Sequence, residues 1–214
     1  MPSCPSRENE GAPSSGAHGG DYPSLGHRPY PGAQWPPPSP TPFVGLAAAA
    51  VHAGGPPPRR LAFFAAACAV LPDVDALGFQ HGVPYDSFLG HRGFTHSLVF
   101  ALVTGFVVTT LAFRDLDPRR LAYWGRLLFL AAVTASHGVL DALTNGGLGV
   151  AFFSPLVLRR YFFPWRPIAV SPIRAGDFFG ETALRVLASE LRWVWLPTAV
   201  LLAVLLAVRR AARK

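Results

Sequence analysis

His91-Arg92-Gly93-Phe94-Thr95-His96-Ser97 runs directly into Leu98-Val99-Phe100-Ala101-Leu102-Val103-Thr104-Gly105-Phe106-Val107-Val108-Thr109-Thr110-Leu111-Ala112-Phe113. The first part holds two imidazoles, a guanidinium and two hydroxyls, and the second holds no charge at all. A polar cluster that opens onto an uncharged apolar helix suits a membrane boundary. Two other clusters are set in apolar sequence in the same way, Leu71-Pro72-Asp73-Val74-Asp75 and Ser136-His137-Gly138-Val139-Leu140-Asp141. Carboxylates and imidazoles are costly in apolar surroundings unless they are paired or bind a cation. Three such clusters in one short chain predict one shared site.

Composition points the same way. Of 214 residues, 50% are hydrophobic and only 14% charged, against about a quarter charged in a typical soluble domain. The net charge of +7 is carried almost wholly by arginine, Lys214 being the one lysine. These arginines lie between apolar segments, not along a basic helix, which makes them membrane-flanking anchors. Nucleic acid is therefore not an expected partner, membrane lipid is, and oligomeric state is left open. Cys4 and Cys68 cannot make a disulfide framework.

Residues 1–40 are rich in Pro, Gly and Ser without apolar periodicity, which predicts a disordered tail; they lack the pattern of a secretory signal. Residues 41–208 form the membrane-embedded helical domain, and 209–214 a basic C-terminal tail. Within the domain an alanine-rich segment at 41–53 ends at Gly54-Gly55-Pro56-Pro57-Pro58. A second helix at 61–71 is stopped by Pro72, and 76–94 is a loop. Thr95 is the expected N-cap of a third helix ending near Phe113. A fourth helix spans 121–143. The connection at 146–190 mixes aromatics, prolines and arginines in a way that suits the headgroup layer. A helix restarts between 180 and 192 and leads into the apolar run 193–208, closed by Arg209, Arg210, Arg213 and Lys214. The fold class is all-α: a polytopic membrane helical bundle of four to five apolar helices, in a bacterial inner membrane.

If these segments cross the bilayer in turn, all three clusters fall on one membrane face. Asp73 and Asp75 leave the second helix there, His91 and His96 enter the third, and His137 and Asp141 end the fourth. His137 and Asp141, four apart, share a helix face. The candidate metal ligands are Asp73, Asp75, His91, His96, His137 and Asp141. Imidazole with carboxylate suits zinc, or manganese or iron; with no cysteine near the clusters, a structural zinc site of the finger type is not expected. Each residue has a plainer role: Asp73 as a helix cap, His137 as a buried hydrogen-bonding histidine, Asp141 as the partner of an arginine such as Arg92. Their combination on one face favours the metal. His81 reads as a solvated loop histidine, and His52 lies near the opposite face.

These residues, in this order, resemble the YdjM-like family of membrane-bound metal-dependent hydrolases. The resemblance rests on Leu71 to Asp75, on His91 to Ser97, and on Ser136 to Asp141 with Thr144 and Gly147. Pro155, Arg159-Arg160-Tyr161-Phe162-Phe163-Pro164-Trp165 and Ser171-Pro172-Ile173 add to it, so that it covers about residues 41–192. It implies metal-dependent hydrolysis without naming a substrate. One departure stands out: the family's histidine near the Thr41-Pro42 position is missing here.

The mechanism expected is hydrolysis by one or two divalent ions that activate water, with Asp75 or Asp141 as general base. Arg92 is placed to clamp an anionic group. Thr95, Ser97 and Thr144 would orient the ligands from behind or cap a helix. A phospholipid or lipid-linked phosphate is the expected substrate. A transporter would spread its polar groups through the bilayer depth, and a metal that only staples helices would sit in a closed site. The end bearing the Arg59-Arg60 turn, the turn from Arg114 to Arg126 and the C-terminus carries ten basic residues against seven at the other. Placing that end in the cytoplasm puts the site outside.

Overall fold

A computed structural model describes residues 40–170 and 181–212. The tail at 1–39, with Cys4, and the Ser171-Pro172-Ile173 element lie outside the described residues, as do Arg213 and Lys214. Helix α1 is Thr41–Ala53, α2 Arg59–Val70, α3 Leu98–Ala112, α4 Leu121–Ala142, α5 Glu181–Glu190 and α6 Leu196–Ala211. Among the described residues there is no strand, only isolated bridges pairing Thr144 with Ile168 and Val150 with Tyr161. The class is all-helical, as the sequence predicts.

Two boundaries differ from expectation. Pro72 does not end the second helix in a loop: the chain tightens into a 3-10 helix, Leu71–His81, that carries Asp73 and Asp75. Proline removes one amide donor but its fixed φ is compatible with helical turns. Thr95 is not the cap of α3. It sits in a short 3-10 turn, Phe94–His96, and Ser97 is the cap, its hydroxyl accepting the Phe100 amide at 3.1 Å. Thr95 is thereby free to donate to Asp75.

The helices pack α1 on α2, α2 on α4, α3 on α4 and α6 on α1. Close approach depends on two glycines. A Cβ at Gly45 would stand 2.6 Å from the Ala65 carbonyl oxygen, and one at Gly105 would stand 2.6 Å from that of Leu127. Small residues at such crossings are how helices associate in lipid, where no hydrophobic force drives them together. Ala49, Leu61, Ala65, Cys68, Ala69, Phe113, Leu130 and Val133 form the core. Outward, Leu102, Val103, Phe106 and Leu111 of α3 and Val200, Leu201 and Val204 of α6 are exposed. An apolar outer surface of this extent is a membrane feature.

Among the described residues two helical stretches are long and apolar enough to cross a membrane, Arg59–Gly78 and Ala183–Ala211. The second is continuous through a π-helical turn at Leu191–Trp195. Helices α1 and α3, with 13 and 15 residues, are shorter than the roughly 20 residues a full crossing takes.

Candidate metal centre

The end of α2, the start of α3 and the end of α4 meet at one end of the bundle, and the three polar clusters meet with them. Asp73, His96, His137 and Asp141 each offer one donor atom, and these four atoms lie within 4.8 Å of one another. Among the described residues Asp75, His91 and His96 make a second group of the same kind. All six expected ligands are therefore gathered. None of these donors comes from α1, in keeping with the histidine missing at its start.

The first group has a definite shape. His96 Nε2 is 3.1 Å from Asp141 Oδ2 and 3.9 Å from Asp73 Oδ1. His137 Nε2 is 3.1 Å from Asp73 Oδ1 and 3.9 Å from Asp141 Oδ2. Tetrahedral donors about 2.0–2.1 Å from a common zinc ion stand roughly 3.3–3.4 Å apart. The four separations bracket that figure. His96 Nε2 and Asp141 Oδ2 are also shielded from solvent, and though close to one another they make no aligned hydrogen bond, which is costly for polar atoms at this depth. A cation between them would satisfy both, so the residues present fit a bound metal.

Hydrogen bonding behind the donors orients them. His137 Nδ1 is 2.8 Å from the Ala69 carbonyl oxygen. A carbonyl only accepts, so Nδ1 carries the proton and the Nε2 lone pair faces Asp73. The partner here is a backbone atom of α2, which no reading of side-chain motifs could find. Ala69 is itself held against Gly45, whose added Cβ would come within 3.0 Å of it; α1 thus supports the site from behind.

Asp75 does the corresponding work for His96. Its Oδ2 stands 3.1 Å from His96 Nδ1 and accepts from the Thr95 hydroxyl and, at 3.1 Å, from the Arg92 amide. Its Oδ1 is 2.7 Å from His91 Nδ1. With its side chain 1% exposed, the carboxylate is saturated. Burial alone would lower the pKa of His96, but the Asp141 and Asp75 carboxylates on either side override it and push it up to about 9.

Arg92 occupies a left-handed backbone conformation, φ 61°, and is buried. Its guanidinium meets Asp141 with Nε at 3.1 Å and Nη2 at 3.2 Å, while Nη1 donates to Thr144 Oγ1 at 3.1 Å and the Gly146 carbonyl at 2.9 Å. The fork expected to clamp an anion is turned inward and holds Asp141. Thr144, donating to the Asp141 carbonyl at 2.7 Å, ties the same corner. Ser97 caps α3, as described above.

The long connection closes over this corner instead of lying only along the headgroups. The Ala151 amide donates to the Arg92 carbonyl at 3.0 Å, and the Leu98 amide to the Phe152 carbonyl at 2.9 Å. Arg160 donates to the carbonyls of His91, Tyr85 and Ser87 at 2.8, 2.9 and 3.2 Å. Burial of its guanidinium among these carbonyls lowers its pKa. Arg160, expected from its sequence context in the headgroup layer, is instead turned onto these carbonyls. Its position in a run shared with the resembled family was the one signal of a structural role. Tyr85, edge-on to His91 at 5.5 Å between ring centres, escaped notice too. His81 is exposed, and His52 stacks on Phe129 away from the centre.

Comparison with known proteins gives the family. The family model described as YdjM inner membrane protein matches residues 42–214, extending the similarity through the C-terminal helix. Inner membrane protein YbcI of Escherichia coli (strain K12) is 41% identical over 137 residues, which is 64% of this chain and 78% of that protein. No solved structure matches. With so much of its length matched, and with an inner membrane location, the chain belongs to the YdjM inner membrane protein family.

Proposed function

We propose that Asp73, His96, His137 and Asp141 hold one divalent cation, and that the protein is a metal-dependent hydrolase acting on a phospholipid or lipid-linked phosphate ester at one membrane face. The observation that carries this reading is the four-donor cluster itself, in which the buried atoms His96 Nε2 and Asp141 Oδ2 stand 3.1 Å apart without an aligned hydrogen bond. Two imidazoles with two carboxylates suit zinc first, then manganese or iron. Such an ion, when bound, acidifies a water and polarises a phosphoryl or acyl oxygen.

The chain's own residues supply the rest. Asp75 holds the proton on His96 Nδ1, so that Nε2 presents a lone pair to the centre. Ala69 does the same for His137 through its carbonyl. Arg92 neutralises part of the Asp141 charge and fixes its angle. Asp141 is committed to the ion and to Arg92, and Asp75 is 1% exposed at its side chain and saturated with donors, so neither carboxylate is free to serve as a general base. Helices α1 to α4 and α6 form the membrane domain, with the centre at one face and the arginine-rich end at the cytoplasmic face.

A second reading has its own support. Four protein donors make a closed tetrahedral set, as in structural metal sites, and a metal that only staples α2, α3 and α4 together needs nothing more. The polar groups collect at one end of the bundle, which argues against an ion path through it.

Purified wild-type protein and a His96→Ala, Asp141→Ala double variant, analysed for metals by elemental mass spectrometry, test the centre. Near-stoichiometric metal in the wild type alone supports it, and metal in neither sinks it. Release of phosphate or headgroup from a panel of phospholipids and lipid phosphates, dependent on that metal, separates the enzyme from the staple.

A further inference from the structure

The end of the bundle opposite the metal centre is built from the C-termini of α1, α3 and α6 and the N-termini of α2 and α4. Among the described residues eight arginines stand there with two aspartates, Asp115 and Asp117. Asp115 pairs with Arg60 and Asp117 with Arg120, so the acids are used. Arg209 donates to the Val51 carbonyl. Arg126 is different: its Nε and Nη1 are shielded from solvent, and among the described residues no acceptor meets them. Two guanidinium groups crowd one ring, Arg60 at 4.4 Å and Arg126 at 4.8 Å from the Phe113 centroid. Each is favourable toward the ring face; Asp115 balances the Arg60 charge, whereas Arg126 makes no ion pair among the described residues.

We propose that Arg126 and Arg60 form a binding site for the phosphate of an anionic phospholipid at this face. Guanidinium donors match phosphate oxygens in a fork, and the strongest such bonds are charge-assisted. With the Arg126 side chain turned toward the surface, a phosphate oxygen would supply the missing acceptor for Nε and Nη1 and the counter-charge that Arg126 lacks. Lipid, and not free phosphate, is the occupant because exposed apolar side chains stand on the same two helices. Phe63, one turn deeper on α2 than Arg60, is 67% exposed, and Leu121 of α4 is 89% exposed. These side chains offer acyl chains an apolar wall next to the headgroup. The site is separate from the metal centre, and it does not depend on the hydrolase reading.

The test is a titration of the full-length protein in detergent with phosphatidylglycerol, read by native mass spectrometry, with phosphatidylcholine and inorganic phosphate as parallel arms. Wild type should retain a phosphatidylglycerol adduct more tightly than phosphatidylcholine and should not bind phosphate alone at the same concentration. An Arg60→Gln, Arg126→Gln double variant should lose about tenfold or more in apparent affinity. Arg119→Gln, an exposed arginine on the same face, should change it less than about twofold. Metal content should stay at the wild-type level in both variants. Equal affinity in the double variant overturns the site, and equal losses in the two variants reduce it to a diffuse surface field. Phosphate binding without lipid identifies a free anion as the occupant and also overturns it. Should the double variant fail to fold by circular dichroism, Arg126→Lys keeps the charge and removes the fork. A loss of about threefold is then expected, and unchanged affinity rejects the proposal.

Discussion

His96 lies between two carboxylates, with Nδ1 3.1 Å from Asp75 Oδ2 and Nε2 3.1 Å from Asp141 Oδ2. The two contacts are unequal in kind. Asp75 is saturated with donors and sits at the back of the ring, whereas Asp141 Oδ2, with no aligned hydrogen bond, faces the other donors of the four-atom set. One carboxylate orients and the other is available.

Replacing Asp75 by Asn should therefore weaken metal binding without removing a donor from the four-atom set. The amide can offer an N–H where His96 needs an acceptor, which turns the ring or reverses its tautomer. Losses of about 10–100-fold are typical when such orienting partners are changed. Competition with a chelating dye measures the shift, and wild-type affinity in Asp75→Asn would reject the orienting role.

Asp141→Asn should abolish stoichiometric metal while leaving the bundle folded, because an amide oxygen can still accept from Arg92. Asp141→Ala should also destabilise the fold, by about 3–5 kcal/mol, since it leaves the Arg92 guanidinium buried with neither a counter-charge nor the acceptor that Asn retains. Thermal unfolding in detergent beside metal analysis separates the two effects.

Metal affinity should rise with pH between about 6 and 9. Without an ion His96 holds its extra proton up to about 9, and that proton must leave before Nε2 can bind a cation. Affinity is therefore weakest on the acid side and levels off once pH passes the raised value. Binding isotherms in buffers of different pH should show proton release on loading, and a flat profile would contradict the shared His96 environment.

Gly105→Val should loosen α3 from α4. Even a Cβ at this position would stand 2.6 Å from the Leu127 carbonyl oxygen and 2.9 Å from the Ala131 Cβ. A cost of about 1–3 kcal/mol is expected for overpacking at such a contact. The equivalent change at Gly125, where nothing lies within 4 Å of the added carbon, should be much milder, and a lowered melting temperature in detergent for the first alone checks the difference.

Much of this protein is written locally. Uncharged runs such as 98–113, bracketed by arginine, declare apolar helices because a chain in lipid must satisfy its backbone hydrogen bonds within each segment. His137 and Asp141, four residues apart, share a helix face by the period of the helix alone. Since alternate helices reverse direction, the order of the three clusters was enough to bring six candidate ligands to one end. Those conclusions follow from periodicity and hydropathy, which are properties of neighbouring residues.

The tertiary structure decided how the ligands divide. Asp73 and Asp75 are two apart in sequence, yet Asp73 meets His137 and Asp141 while Asp75 meets His91, Arg92, Thr95 and His96. The cause is the 3-10 helix after Pro72, which turns the two carboxylates in different directions. Arg92 looked outward in sequence and is turned inward, because Thr144, Gly146 and Asp141 converge on it only after α4 has packed. The Ala69 carbonyl and Arg160 act through backbone atoms 68 and 69 residues away in the chain. Residue type does not encode a backbone partner, so contacts of that kind come into view only when the helices are in place.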